Sequence, residues 1–176
     1  MKARFFAWRA MLLMIAATAS TAPRHAGATS PEEIRRCLYA AASVHRVPPN
    51  LLYAILVVEA GRPGAVSQNS NGSFDIGPMQ VNDYWLPALM THWSTTRQSA
   101  YLALRDSVCA NFEAGAWILE RAIQETSDFW DGVARYHSHS GPEKQLYLGR
   151  LARAFQQMER NRNRPAIEGP SHKKDS

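Results

Sequence analysis

Apolar residues take up a regular rhythm only after residue 30. Ile34, Cys37, Leu38, Ala41 and Ala42 share one face at helical spacing and predict a helix running to about His45. Its start is marked by Thr29 or Ser30 as a hydroxyl cap, Pro31 in the first turn, and Glu32 and Glu33 at the positive end of the helix dipole. Pro48-Pro49 stops it, and Asn50 is the expected cap of a second helix. That second run, Leu51 to Val58, is apolar nearly all round, the pattern of a central helix, and it ends in Glu59-Ala60-Gly61.

From Arg62 to Asp83 the chain turns to Gly, Ser, Asn, Gln and Pro. Asn71-Gly72 is a turn pair, and Ser73 to Ile76 fits one side of a short hairpin. A polar loop of about 20 residues is long for a compact domain and commonly carries function. Helical spacing returns from Tyr84, with Asp83 as the expected cap, and continues toward His92. Further helices are expected at Arg97 to Leu104, from Val108 or Cys109 to Ile123, at Phe129 to His137, and from Pro142 through Leu146, Leu148, Leu151, Ala152 and Phe155. The whole predicts one predominantly helical α+β domain, and 176 residues leave no room for a second full core.

Residues 1–28 fall outside this pattern. Lys2, Arg4 and Arg9 precede the apolar run Met11 to Ala22, and Ala26-Gly27-Ala28 follows, the order of a secretory signal cleaved after Ala28. Ala17-Thr18-Ala19 offers a second cleavage site, and a retained membrane anchor is the rival reading, although the apolar stretch is short of the ~20 residues of a span. Cleavage leaves residues 29–158 as the folded domain, 159–176 as a flexible basic tail, and no stable membrane insertion. It also changes the charge: four of the excess positive charges of a chain at formal +5 lie in the signal, leaving the exported part near +1. A nucleic-acid binder carries a far more basic folded surface, so that class is excluded. Cys37 and Cys109 both lie in the exported part, where an oxidising compartment makes them a credible disulfide contributing ~2 to 4 kcal/mol. No C-x-x-C or H-E-x-x-H run is present, and neither a metal nor another cofactor is expected.

Glu59 is the candidate for chemistry. A carboxyl group removed from water holds its proton more tightly, and one at the end of a greasy helix beside a polar loop is placed to act as a general acid. The bland alternative is a helix-end acid paired with Arg62 or solvated. Residues alone leave the two open.

Several segments together resemble the lysozyme-like lytic transglycosylases, in particular the small exported ones that accompany secretion, conjugation and pilus systems. They are Pro49 to Ile55 leading to Glu59, the run Asn69 to Asn82 (NSNGSFDIGPMQVN), Trp85-Leu86-Pro87, Cys109 to Ala116, and Ala134 to Ser138, ending near Tyr147. The resemblance implies a lysozyme-like fold in which a helical domain carries a polar catalytic loop or short β-hairpin. It implies that Glu59 is the sole acid/base, cleaving the MurNAc–GlcNAc β-1,4 bond of peptidoglycan and leaving 1,6-anhydro ends, in contrast to two-carboxylate glycosidases. Ser73, Ile76, Gly77, Met79, Gln80 and Tyr136 are then expected to contact substrate, with Met79 either under a sugar or filling the core. Asp75, Asn111 and His137 are expected to support them, and Trp85, Trp93, Trp117 and Trp130 to pack, one or two of them lining subsites. Cys37 and Cys109 match the disulfide of the secretion-associated subgroup.

The implied setting is the periplasm, with glycan strands and components of an envelope apparatus as partners and a monomeric chain. Two departures stand out: Ala60 where many relatives have serine, and Pro78 where many have leucine. Hydrolytic muramidase activity, or a weakly catalytic wall-binding assembly role, is the alternative.

Overall fold

A computed structural model describes residues 29–164; the expected signal, and the tail from residue 165 on, lie outside the described residues. The described residues form seven helices and a small open sheet: α1 Pro31–Val44, α2 Pro49–Glu59, β1 Val66–Gln68, β2 Phe74–Ile76, β3 Val81–Asn82, a 3-10 turn at Asp83–Trp85, α3 Leu86–His92, α4 Arg97–Asp106, α5 Val108–Gln124, α6 Phe129–Arg135 and α7 Gly141–Arg162. This is the lysozyme-like α+β architecture that the resemblance implied. The sheet is antiparallel in the order β1-β2-β3, with Ser67 opposite Asp75 and Asp75 opposite Asn82.

The middle of the molecule belongs to α5, not to the more apolar α2. Asn111, Phe112, Ala114, Gly115, Ala116, Ile118 and Leu119 of α5 are all buried, and α1, α4 and α6 pack around it. Helix α2 instead packs between α1 and α7 and leaves Tyr53 and Val57 more than 40% exposed, so its uniform apolarity misstates its place. The Cys37–Cys109 disulfide joins α1 to α5, pairing the two expected cysteines.

Several boundaries differ from the sequence reading for identifiable reasons. Pro48 is itself the cap of α2 and Pro49 its first residue, because a proline ring has the φ that a first turn needs and lacks only an N–H that would go unused. Asn82, not Asp83, accepts the Tyr84 N–H at the 3-10 turn, and the Asp83 carboxylate accepts the Phe74 N–H across the sheet. Helix α6 stops at Arg135, before the Tyr136-His137 pair. Helix α7 runs on to Arg162, beyond the boundary expected at 158; Arg160 and Arg162 suit the negative end of its dipole.

Two close approaches set the geometry around the end of α2. Ala60 terminates the helix in the left-handed region at φ 50°, and the chain then passes the β2–β3 turn so tightly that a Cβ on Gly61 would lie 2.1 Å from the Gly77 carbonyl oxygen. Gly77 has φ +70°, and its own Cβ would strike the Asn111 amide at 2.4 Å. Glycine is therefore required at both positions.

Candidate active site

The last residue of α2 faces a cleft of about 660 Å³ between the sheet and α6. Glu59, Asp75, Gln80, Trp85, Tyr136 and His137 are among its lining residues. Glu59 is half-buried as a whole, but its Oε1 is shut off from solvent and has no hydrogen-bond partner, and no ion pair with Arg62 forms. Burial raises its pKa from 4.5 to about 7. The Tyr147 hydroxyl counters part of that rise, the negative charge of Asp75 adds to it, and the Arg150 charge opposes it. Although Tyr147 Oη lies near enough to act on the carboxyl group, the pair falls outside hydrogen-bond geometry, leaving Tyr147 Oη also without a partner.

A polar network along the sheet fixes the cleft wall. Asn82 Nδ2 donates to Asp75 Oδ1 at 2.7 Å and to Ser73 Oγ at 2.9 Å, while Ser73 Oγ donates to Asn71 Oδ1 at 2.8 Å. Asp75 is thus tied into the loop and also contributes charge near Glu59. Gln80, at φ 48°, donates from Nε2 to the Gly77 carbonyl oxygen at 2.8 Å. That bond fixes the orientation of its amide against the cleft.

Behind this wall Asn111 holds the turn together. Fully buried on α5, it accepts the Met79 N–H at 2.7 Å and donates to the Ile76 and Leu104 carbonyl oxygens at 2.9 and 3.0 Å. Tyr136 adds a second tie by donating from its hydroxyl to the Met79 carbonyl oxygen at 2.9 Å. Burial, then the neighbouring Glu59 and Asp75 charges, push the Tyr136 pKa well above 10, so the hydroxyl keeps its proton.

Not every expected contact residue reaches the cleft. Ile76 and Met79 are 0% exposed, and Met79 packs its side chain against Gly115 of α5, so the expected contact with a sugar gives way to core filling. Gly77 is likewise buried and serves through its backbone. Of the four tryptophans expected to pack in the folded domain, Trp85 lines the cleft; Trp93 and Trp117 pack elsewhere, and Trp130 is half exposed. His137 stacks on Tyr147 with ring centres 4.7 Å apart, and burial lowers its pKa.

Tyr147 is the residue that sequence reasoning undervalued. Its spacing with Leu151 and Ala154 puts it on the buried face of α7, and a phenol buried there needs a polar neighbour.

Comparison with known families agrees with this geometry: residues 36–158 match the model described as the transglycosylase SLT domain. The chain belongs to this family. Among curated relatives of this SLT-domain protein, the invasion protein IagB of Salmonella typhimurium is 28% identical over 118 residues, covering 66% of this chain and 71% of the relative. Protein IpgF of Shigella flexneri is 30% identical over 111 residues, covering 61% and 68%. A peptidoglycan-binding-like protein of Escherichia coli is 27% identical over 108 residues, covering 58% and 63%.

Proposed function

We propose that this SLT-domain protein binds peptidoglycan glycan strands in the cleft and cleaves them as a lytic transglycosylase, with Glu59 as acid and then base. The observation that carries this reading is the partnerless, solvent-shielded Glu59 Oε1, whose pKa of about 7 lets the group hold a proton near neutrality and release it. Protonated Glu59 gives its proton to the oxygen linking MurNAc to GlcNAc, and the GlcNAc end departs. The acetamido oxygen of the MurNAc residue supports the cationic C1. Glu59, now ionised, takes the proton of the C6 hydroxyl, and O6 closes on C1 to form the 1,6-anhydro ring. Water taking the place of O6 gives the muramidase product instead. Gln80 offers an amide to sugar or acetamido groups, Asp75 and Asn82 hold the wall, and Tyr136 and Tyr147 shape the environment of the acid.

In this reading residues 1–28 are the export signal, the catalytic domain runs from residue 29 through the end of α7 at Arg162, and the residues after it are a basic tail; the protein then works in the periplasm beside a secretion, conjugation or pilus apparatus. Among the described residues no helix is long and apolar enough to cross a membrane.

A second reading is a wall-binding assembly subunit with weak turnover. The relatives' names, which state invasion and peptidoglycan binding, support it more directly than they support efficient cleavage. Ala60 fits it as well, since no hydroxyl follows the acid. Digestion of purified peptidoglycan followed by mass analysis separates the readings. Fragments ending one water lighter than reducing ends support transglycosylation, and reducing ends support hydrolysis. Retention on the wall without release supports the assembly role and overturns the enzyme.

A further inference from the structure

Outside the cleft, three elements far apart in sequence bring a second set of functional side chains together. His45 caps α1, His92 ends α3 and Glu113 lies in the middle of α5. Their ligand atoms all fall within 4.8 Å of one another. Both histidines aim the same ring nitrogen at one carboxylate oxygen: Glu113 Oε1 is 2.8 Å from His45 Nε2 and 2.7 Å from His92 Nε2. We propose that His45, His92 and Glu113 form a divalent transition-metal site of the zinc class, with water in the remaining position.

The neighbours of these three residues favour a metal as well. Metal-bound histidines commonly donate their other ring N–H to a carboxylate, which fixes the tautomer and the ring orientation. His45 Nδ1 lies 3.1 Å from Glu120 Oε2, leaving Nε2 free to bind an ion. The Trp93 indole N–H donates to Glu113 Oε2 at 2.6 Å, holding that carboxylate with Oε1 toward the histidines. The His92 ring is stacked on Trp117, centres 4.5 Å apart at 15°.

Two imidazoles and one carboxylate suit zinc, copper or nickel, whereas magnesium and calcium take oxygen ligands. In a tetrahedral site an ion about 2 Å from each ligand puts the ligand atoms roughly 3.3 Å apart, so the two histidine–Glu113 contacts of 2.8 and 2.7 Å widen while the longest separation in the set, within 4.8 Å, closes. The adjustment falls on His92 and Glu113, whose side chains are 26% and 28% exposed; the His45 side chain, at 6%, stays fixed. Access from solvent is open on the same side. No local motif announces the set, because His45 and Glu113 stand 68 positions apart. The competing description is a histidine–carboxylate hydrogen-bond network with no ion.

Zinc titration of the untagged, chelator-stripped chain by calorimetry distinguishes the two, with cobalt(II) absorption and quenching of Trp93 and Trp117 fluorescence as independent readouts. One zinc per chain is expected, together with a raised melting temperature. His92→Gln, at the accessible edge, is expected to lower affinity by about tenfold or more and to remove the thermal shift while leaving the far-UV circular dichroism of the metal-free chain unchanged. Glu120→Gln is expected to lower affinity about 10- to 100-fold through the orientation of His45. If His92→Gln does not fold, Glu120→Gln carries the test alone. Failure to take up zinc at millimolar concentration overturns the proposal. So does unchanged uptake in the folded variants, which places the ion elsewhere, for example at His137 and His139. Neither outcome bears on the glycan chemistry, which uses none of these residues.

Discussion

Replacing Glu59 by glutamine provides a thermodynamic test that needs no substrate. The amide keeps the volume of the acid but cannot ionise, so it removes the cost of holding a shielded carboxylate. A rise in pKa from 4.5 unfolded to about 7 folded corresponds to about 3 kcal/mol. Folded protein binds this proton more tightly than the unfolded chain does. The contribution of Glu59 therefore favours folding fully below pH 4.5 and is lost as pH rises through 7. Denaturant unfolding of both proteins at pH 4 and pH 8 isolates the effect, because every other titrating group is common to the pair. The Glu59→Gln variant is expected to gain about 3 kcal/mol on wild type between the two pH values. A difference that stays within about 1 kcal/mol across that range refutes the shielded acid.

Other consequences are equally direct. Fragment release from peptidoglycan is expected to fall about tenfold per pH unit above 7, as the acid loses its proton, when initial rates are followed across pH. Tyr147→Phe removes the hydroxyl that opposes the pKa rise, so the alkaline limb of that profile moves to higher pH. Asn111→Ala strands the Met79 N–H and the Ile76 and Leu104 carbonyls in the interior, and chemical denaturation is expected to show a loss of about 3 kcal/mol or more. Reduction of Cys37–Cys109, which closes a separation of 72 residues, is expected to cost about 4 kcal/mol by the same measurement and to leave Glu59 in place.

The helices were legible in the sequence wherever apolar spacing and a stop signal coincided, as at Ile34 to Ala42 and at Phe112 to Ile123. Periodicity was silent on depth. The run Leu51 to Val58 looked central, while the alternation of alanine and glycine with larger residues on α5 marks the helix that others approach most closely. Glu59 was legible because a charge after eight apolar residues breaks the local rule. The fate of Met79 was not, since which way a loop side chain turns depends on what α5 brings to it; for Tyr147 the helical spacing on α7 told of burial but not of the nearness of its hydroxyl to Glu59. His45, His92 and Glu113 were invisible for the same reason: their convergence is a product of packing, with no short spacing to announce it.

Parallel digestion of purified peptidoglycan by wild type and Glu59→Gln at pH 6, with the released muropeptides weighed, tests the central claim most directly. Wild type is predicted to release fragments with anhydro ends, and the glutamine protein, folded and still able to bind the wall, to release none. Equal release by both proteins would contradict the role of Glu59; no release by either would leave a wall-binding protein without the chemistry.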